Sequence, residues 1–146
     1  MSPEPRRFSP SLVSRLVEAE EVEMLVLGSD GAMTSRPIWI VVVDDVSYVR
    51  SYTGRRGKWW RRVLRDRKGV LRVGRTRVPF AAKPLTAREL EGELNHRISK
   101  AYTDKYGDKW PQSMRTMVSD KVAGTTLRLE PLAHVSASPG VAQAKR

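Results

Sequence analysis

The residues of this sequence best suited to chemistry lie together in "RSYTGRRGKWW", Arg50 to Trp60. Arg50 and Ser51 close an apolar run. A loop of Thr53, Gly54, Arg55, Arg56 and Gly57 follows, and Lys58 opens a segment with helical spacing. The first turn of a helix presents free N–H groups and a partial positive charge. Guanidinium, ammonium and hydroxyl groups beside it make an anion site, and the arrangement suits one phosphate group. Gly54 and Gly57 let the backbone approach such a ligand closely. Trp59 and Trp60 have two readings: stacking on a flat ring of a ligand or base, or anchoring the helix in a core. At least one of them is expected in the core.

Charge points the same way. The 146 residues carry 27 Lys and Arg against 16 Asp and Glu, a net of +11. Between Arg50 and Arg77 there are twelve Lys or Arg and one acid, Asp66, so the whole excess sits in this stretch. A localised positive field implies an anionic partner: a phosphate, an anionic cofactor, a nucleic acid or an acidic protein. Other chemistries are excluded by what is missing. The sequence has no cysteine, so disulfides, thiolate metal sites and cysteine nucleophiles are ruled out. His96 and His134 have no carboxylate at metal-ligand spacing, and no metal site is expected. There is no glycine-rich phosphate loop and no Ser-His-Asp pattern. If the chain is an enzyme, a cofactor carries the chemistry. Tyr48 and Tyr102 are the candidate proton donors, and equally candidates for the core. No apolar run is long enough to span a membrane and Met1 opens no signal pattern, so the expected setting is cytoplasmic.

The surrounding elements must position these residues. "FSPSLVSRLVEAEE" predicts a helix capped by Ser9 with Pro10 in its first turn, within an N-terminal helical segment over 1–20. Val22 to Leu27 alternates as a strand. Ile38 to Val43 is continuously apolar, which predicts one strand buried on both faces. Asp44-Asp45 turns it into a hairpin with "VSYVRS". "KWWRRVLRD" reads as a short helix and "VLRVGRTRVPFAA" as two strands around Gly74. Thr86 to Gly107 predicts a single helix, opened by a Thr86/Glu89 capping box and striped by Leu90, Leu94, Ile98, Tyr102 and Tyr106. "PQSMRTMVSDKVAG" adds a short helix, "TTLRLEPL" a last strand, and 133–146 a flexible tail. About six strands, mostly joined as hairpins, predict a mainly β chain: an antiparallel barrel over 21–132 with attached helices. A strand apolar on both faces needs more cover than one small barrel gives, which predicts a homodimer.

"SRPIWIVVVDDVSYVRSYTGRRGKWWRRV", "KGVLRVGRTRVPFAAKPL" and "TTLRLEPL" together resemble the pyridoxamine 5′-phosphate oxidase-like, FMN-binding split β-barrel superfamily. Within it they resemble an uncharacterised bacterial domain-of-unknown-function branch and, secondarily, the deazaflavin-dependent nitroreductase-like proteins. The resemblance covers about Glu21 to Leu132. It implies a six-stranded antiparallel split β-barrel with peripheral helices, a homodimer, and FMN or a deazaflavin at the subunit interface. By position, Arg50, Ser51 and Lys58 would hold the cofactor phosphate with Thr53 in the same loop, Arg36 would assist from the second strand, and Trp59 would lie beside the ring or phosphate tail. The chain departs from its relatives in having Gly57 where Ser or Thr often precedes the helix lysine. It also has Asp66-Arg67-Lys68-Gly69 in place of an Asn-Pro. The implied function is an oxidoreductase working by hydride transfer through the cofactor. The alternatives are a cofactor-free binding module and a nucleic-acid binder using the 50–77 face.

Overall fold

In the computed structural model, residues 4–132 are described. The expected tail and His134 lie outside them. Seven strands form one antiparallel sheet: β1 (Val22–Leu27), β2 (Met33–Ile38), β3 (Ile40–Val43), β4 (Val46–Val49), β5 (Lys68–Val73), β6 (Thr76–Pro84) and β7 (Leu127–Pro131). Their order is β2-β1-β5-β6-β7-β4-β3, and the sheet curls into a half-barrel with helices around it. The split β-barrel expectation holds, with seven strands in place of six.

The extra strand comes from a corner at Trp39. The run Ile38–Val43 was expected to be one strand. Instead Ile38 ends β2 opposite Val22, and Ile40 begins β3 opposite Val49. A corner leaves backbone groups to be satisfied. Tyr106 does this for Ile40, its hydroxyl accepting from the amide at 3.2 Å and donating to the carbonyl at 3.1 Å. Tyr102 donates to the Trp39 carbonyl at 3.3 Å. Beyond β3, Asp44 and Asp45 both take left-handed conformations, φ 53° and 65°. Two such residues make the tight turn whose twist matches a hairpin. Arg97 grips the Asp44 carboxylate with two hydrogen bonds, 2.7 and 2.9 Å.

The helices are α1 (Pro10–Glu18), α2 (Lys58–Asp66), α3 (Ala87–Glu91), α4 (Glu93–Tyr106), α5 (Pro111–Met117) and α6 (Asp120–Ala123). Ser9 caps α1 as expected, accepting from the Leu12 amide. The expected single helix over 86–107 is broken at Gly92, which is extended at φ −108°, ψ −166°. The Thr86/Glu89 capping box is present on α3. Among the described residues no helix is long and apolar enough to cross a membrane.

Two cores result. Inside the barrel, Leu16 of α1 and Trp60 and Val63 of α2 pack with Met24, Ile40, Leu71, Phe80 and Leu129. Outside it, Ile98, Tyr102 and Tyr106 of α4 and Met114 and Met117 of α5 pack on Val41, Val43 and Tyr48. β3 is therefore covered on both faces within one chain. Its apolar pattern creates no demand for a second copy, which removes that argument for a dimer.

Candidate functional site

The basic loop leaves β4 through Arg50 and Ser51, makes a short 3-10 turn over Gly54–Arg56, and enters α2 at Lys58. Arg50 points inward and is 2% exposed. Its Nε donates to Thr126 Oγ1 at 2.8 Å, and Nη1 donates to Ser99 Oγ at 3.0 Å and the Met117 carbonyl at 2.8 Å. Nη2 donates to Asn95 Oδ1 at 2.8 Å and, more weakly, to the Asn95 carbonyl at 3.5 Å. All five guanidinium N–H groups are thereby used. The Tyr102 ring lies beside the cation, 5.5 Å from its centroid. Burial without a carboxylate partner pulls the Arg50 pKa down from its ordinary value.

Ser51 is also enclosed. Its amide donates to Thr125 Oγ1 at 2.9 Å and its hydroxyl to the Gly54 carbonyl at 2.7 Å. Two glycines are required here. Gly54 has φ +73° and lies under the stem of Lys121. A Cβ on Gly57 would fall 2.4 Å from Ser51 Oγ and 3.0 Å from Thr53 Oγ1. A side chain at this position would collide with the inward Ser51 hydroxyl.

The remaining expected residues converge. Arg36 of β2, Thr53, Lys58 and Trp59 line one cleft of about 720 Å³, together with Pro37, Tyr52, Arg56 and Gly57. Among the described residues no acid lines it. Beside it lies a recess of about 330 Å³ that shares Pro37, Tyr52 and Trp59. Ile38, Trp39, Ser113 and Met117 form the rest of its wall, Arg50 backs it, and Glu21 stands at its edge. Trp39 meets Tyr52 edge-on at 6.2 Å and packs on Tyr106 at 5.4 Å and Trp110 at 5.5 Å. Of the six residues expected to hold a cofactor, Arg36, Thr53, Lys58 and Trp59 come together. Arg50 backs the recess and Ser51 lines neither space, and the polar groups of both are engaged within the fold.

The tryptophans divide between their two readings. Trp60 is a core anchor whose Nε1 donates to the Thr125 carbonyl at 2.7 Å. Trp59 is half-buried and faces both cleft and recess. Tyr48 and Tyr102 both belong to the outer core, and neither lines either space. Burial pushes the Tyr102 phenol far up, and its proton is engaged by the Trp39 carbonyl. His96 is exposed on α4 and lines neither space. Trp39, Tyr52, Ser113 and Met117 were not anticipated as lining residues. Arg56 was within reach of the loop's charge pattern, whereas Trp39 was hidden in an apolar run and Ser113 comes from a distant helix.

Solved structures share this architecture. HutZ, the heme storage protein from Vibrio cholerae, is 11% identical with a TM-score of 0.58, covering 88% of this chain and 92% of that one. The conserved hypothetical protein Rv2991 from Mycobacterium tuberculosis is 16% identical with a TM-score of 0.57, covering 97% and 99%. The "Putative Pyridoxamine 5′-phosphate oxidase" of Listeria innocua is 10% identical with a TM-score of 0.50, covering 82% and 87%. At such identities the likeness is one of fold. No curated protein matches by sequence. The family model described as "Uncharacterized protein conserved in bacteria (DUF2255)" matches residues 12–129.

Proposed function

We propose that this chain, which belongs to the DUF2255 family, binds a planar, phosphate-bearing cofactor of the flavin class, FMN or a deazaflavin, in the joined recess and cleft. One observation carries the proposal. A recess walled by Trp39, Tyr52 and Trp59 opens into a cleft that holds Arg36, Arg56 and Lys58 and, among the described residues, no acid. Flat rings pack on aromatic side chains, and phosphate oxygens accept from guanidinium and ammonium groups. Both volumes fall within the range of about 300–1,000 Å³ usual for ligand sites.

The residues fit such a group. Arg36 and Lys58 would hold the phosphate from two elements, with Arg56 and the Thr53 hydroxyl beside them. Trp59 and Trp39 would flank the ring, and Tyr102 and Tyr106 hold the Trp39 corner in place through its backbone. When bound, the cofactor supplies hydride transfer, and the chain would act as an oxidoreductase. A homodimer belongs to this reading. β2 is exposed over Met33 to Pro37, and Leu27 and Met33 stand 56% and 52% open beside it. Light scattering at micromolar concentration should give twice the mass of one chain.

The heme named for HutZ suggests a second ligand class. Heme iron takes an axial His, Cys, Met or Tyr. No histidine among the described residues lines either space and the lining sulfur, Met117, is almost wholly buried, which leaves Tyr52 as the lining side chain of axial-ligand type, whereas the acid-free cationic cleft matches a phosphate. The flavin class is favoured. The test is the visible spectrum of the purified protein, followed by titration with FMN and a deazaflavin at fixed salt. A colourless protein that binds neither, yet shifts a nucleic-acid probe with steep salt dependence, would favour the nucleic-acid reading. A colourless protein that binds none of the three would favour a cofactor-free module.

A further inference from the structure

The cationic cleft is larger than one phosphate requires. Its volume, about 720 Å³, is more than twice that of the aromatic recess at about 330 Å³. Three side-chain cations line it, Arg36, Arg56 and Lys58. None of them forms an ion pair with another described residue. Arg55 and Arg61 add exposed, unpaired charge on the same turn and helix. Several neighbours in the basic stretch are instead neutralised or occupied by the fold. Arg65 pairs with Asp66 at 2.9 Å, Arg72 pairs with Glu23, Arg62 donates to the Leu27 carbonyl, and Arg50 is buried. Cations gathered around one concave space without a counter-charge repel one another, and a multiply charged anion relieves that repulsion.

We infer that the cleft prefers a ligand with at least two anionic groups in succession, of the diphosphate type, so that within the flavin class a dinucleotide is held more tightly than FMN. This rests on the ring-binding reading for its aromatic end, but the anion preference can be tested without a ring. Arg36 and Lys58 reach the cleft from β2 and α2, and Arg56 reaches it from the turn between β4 and α2. Three donors from three elements, spread around a cleft of this size, are suited to a chain of charge.

The experiment measures binding of inorganic phosphate, pyrophosphate and citrate at fixed pH and ionic strength, by calorimetry. It uses wild type, Arg56→Ala, Arg36→Ala and the distal control Arg75→Ala. Pyrophosphate should bind roughly ten- to a hundredfold tighter than phosphate, the worth of one added charged hydrogen bond or two. Arg56→Ala and Arg36→Ala should remove most of that advantage, and Arg75→Ala should leave it. Citrate matching pyrophosphate would place a carboxylate tail beside the diphosphate as an equal fit and overturn the diphosphate assignment. Equal binding of phosphate and pyrophosphate, or equal losses in all three variants, would overturn the inference. A parallel titration with FMN and FAD separates the two claims. Flavins binding without preference for FAD would sink the inference and leave the flavin reading. A pyrophosphate preference with neither flavin bound would do the reverse.

Discussion

Replacing Arg50 separates a structural clamp from a ligand group. The sequence pattern assigns its guanidinium to a phosphate, whereas the fold spends all five N–H groups on Asn95, Ser99, Met117 and Thr126. Arg50→Ala would leave Asn95 Oδ1, Ser99 Oγ and the Met117 carbonyl without their donor. Each unsatisfied buried acceptor costs about 1–3 kcal/mol. The sum is offset in part, because the variant no longer buries a charge that has no carboxylate partner. The expected net loss is about 2–5 kcal/mol, the cost of those orphaned acceptors less that relief. Domains of this size have only about 5–15 kcal/mol in total. Arg50→Lys keeps the charge but offers three donors, and should lose less. Urea unfolding of the three proteins, monitored by tryptophan fluorescence, measures the difference. A loss below about 1 kcal/mol for Arg50→Ala, with flavin affinity falling tenfold or more, would refute the clamp.

Ile98 is fully buried between α4 and the sheet, so Ile98→Ala should cost about 2–5 kcal/mol in the same assay. Half-buried Leu94 should cost distinctly less, and equal losses would show that α4 is docked along its whole stripe. Gly57→Ser would drive a Cβ into Ser51 Oγ at 2.4 Å and should destabilise by about 1–3 kcal/mol; an unchanged unfolding midpoint would mean that Ser51 swings free. Lys105 donates to the Leu16 and Ile40 carbonyls at 2.9 and 2.8 Å, and burial pulls its pKa down from 10.5 to about 8. Between about pH 8 and 10.5 the unfolded chain therefore binds more protons than the native one at this residue. The group adds stability as pH rises through that window. Tyr106, pushed up by burial to about 12, works in the opposite sense once pH passes its ordinary value of 10. The stability of wild type relative to Lys105→Met should accordingly grow from pH 7.5 to 9.5, by less than the full shift implies because the amine is partly solvated. A difference that stays flat across that range would contradict the assignment.

Where local pattern and final environment agreed, the sequence was readable. Ser9 and Pro10 set the start of α1, Thr86 and Glu89 the start of α3, and paired aspartates the β3–β4 turn, because each motif satisfies backbone groups within a few residues. β2 was not readable. Its residues Met33 to Pro37 are exposed on both faces, so they carry no alternation, and Pro37 argues against a strand. The break at Trp39 was hidden because the apolar run continues through it, although the two halves pair with different strands. The interruption at Gly92 was hidden for a similar reason: the apolar stripe keeps its four-residue step across the break. At the site, charge composition pointed to the loop after β4 and the family resemblance to Arg36, Thr53, Lys58 and Trp59, which line one cleft. Neither could tell which arginine turns inward, because Arg50's partners lie 45 to 76 residues away in the chain.

The central claim is that the recess and cleft together hold a phosphate-bearing flavin-class ring. Fluorescence titration of FMN and of a deazaflavin into purified wild type and Lys58→Ala, at fixed salt, tests it most directly. Lys58 is exposed and its side chain makes no ion pair with a described residue, so its removal should leave stability intact. The account predicts saturable binding of at least one of the two by wild type, with affinity reduced roughly ten- to a hundredfold in Lys58→Ala. Absence of saturable binding of either cofactor to wild type would contradict it.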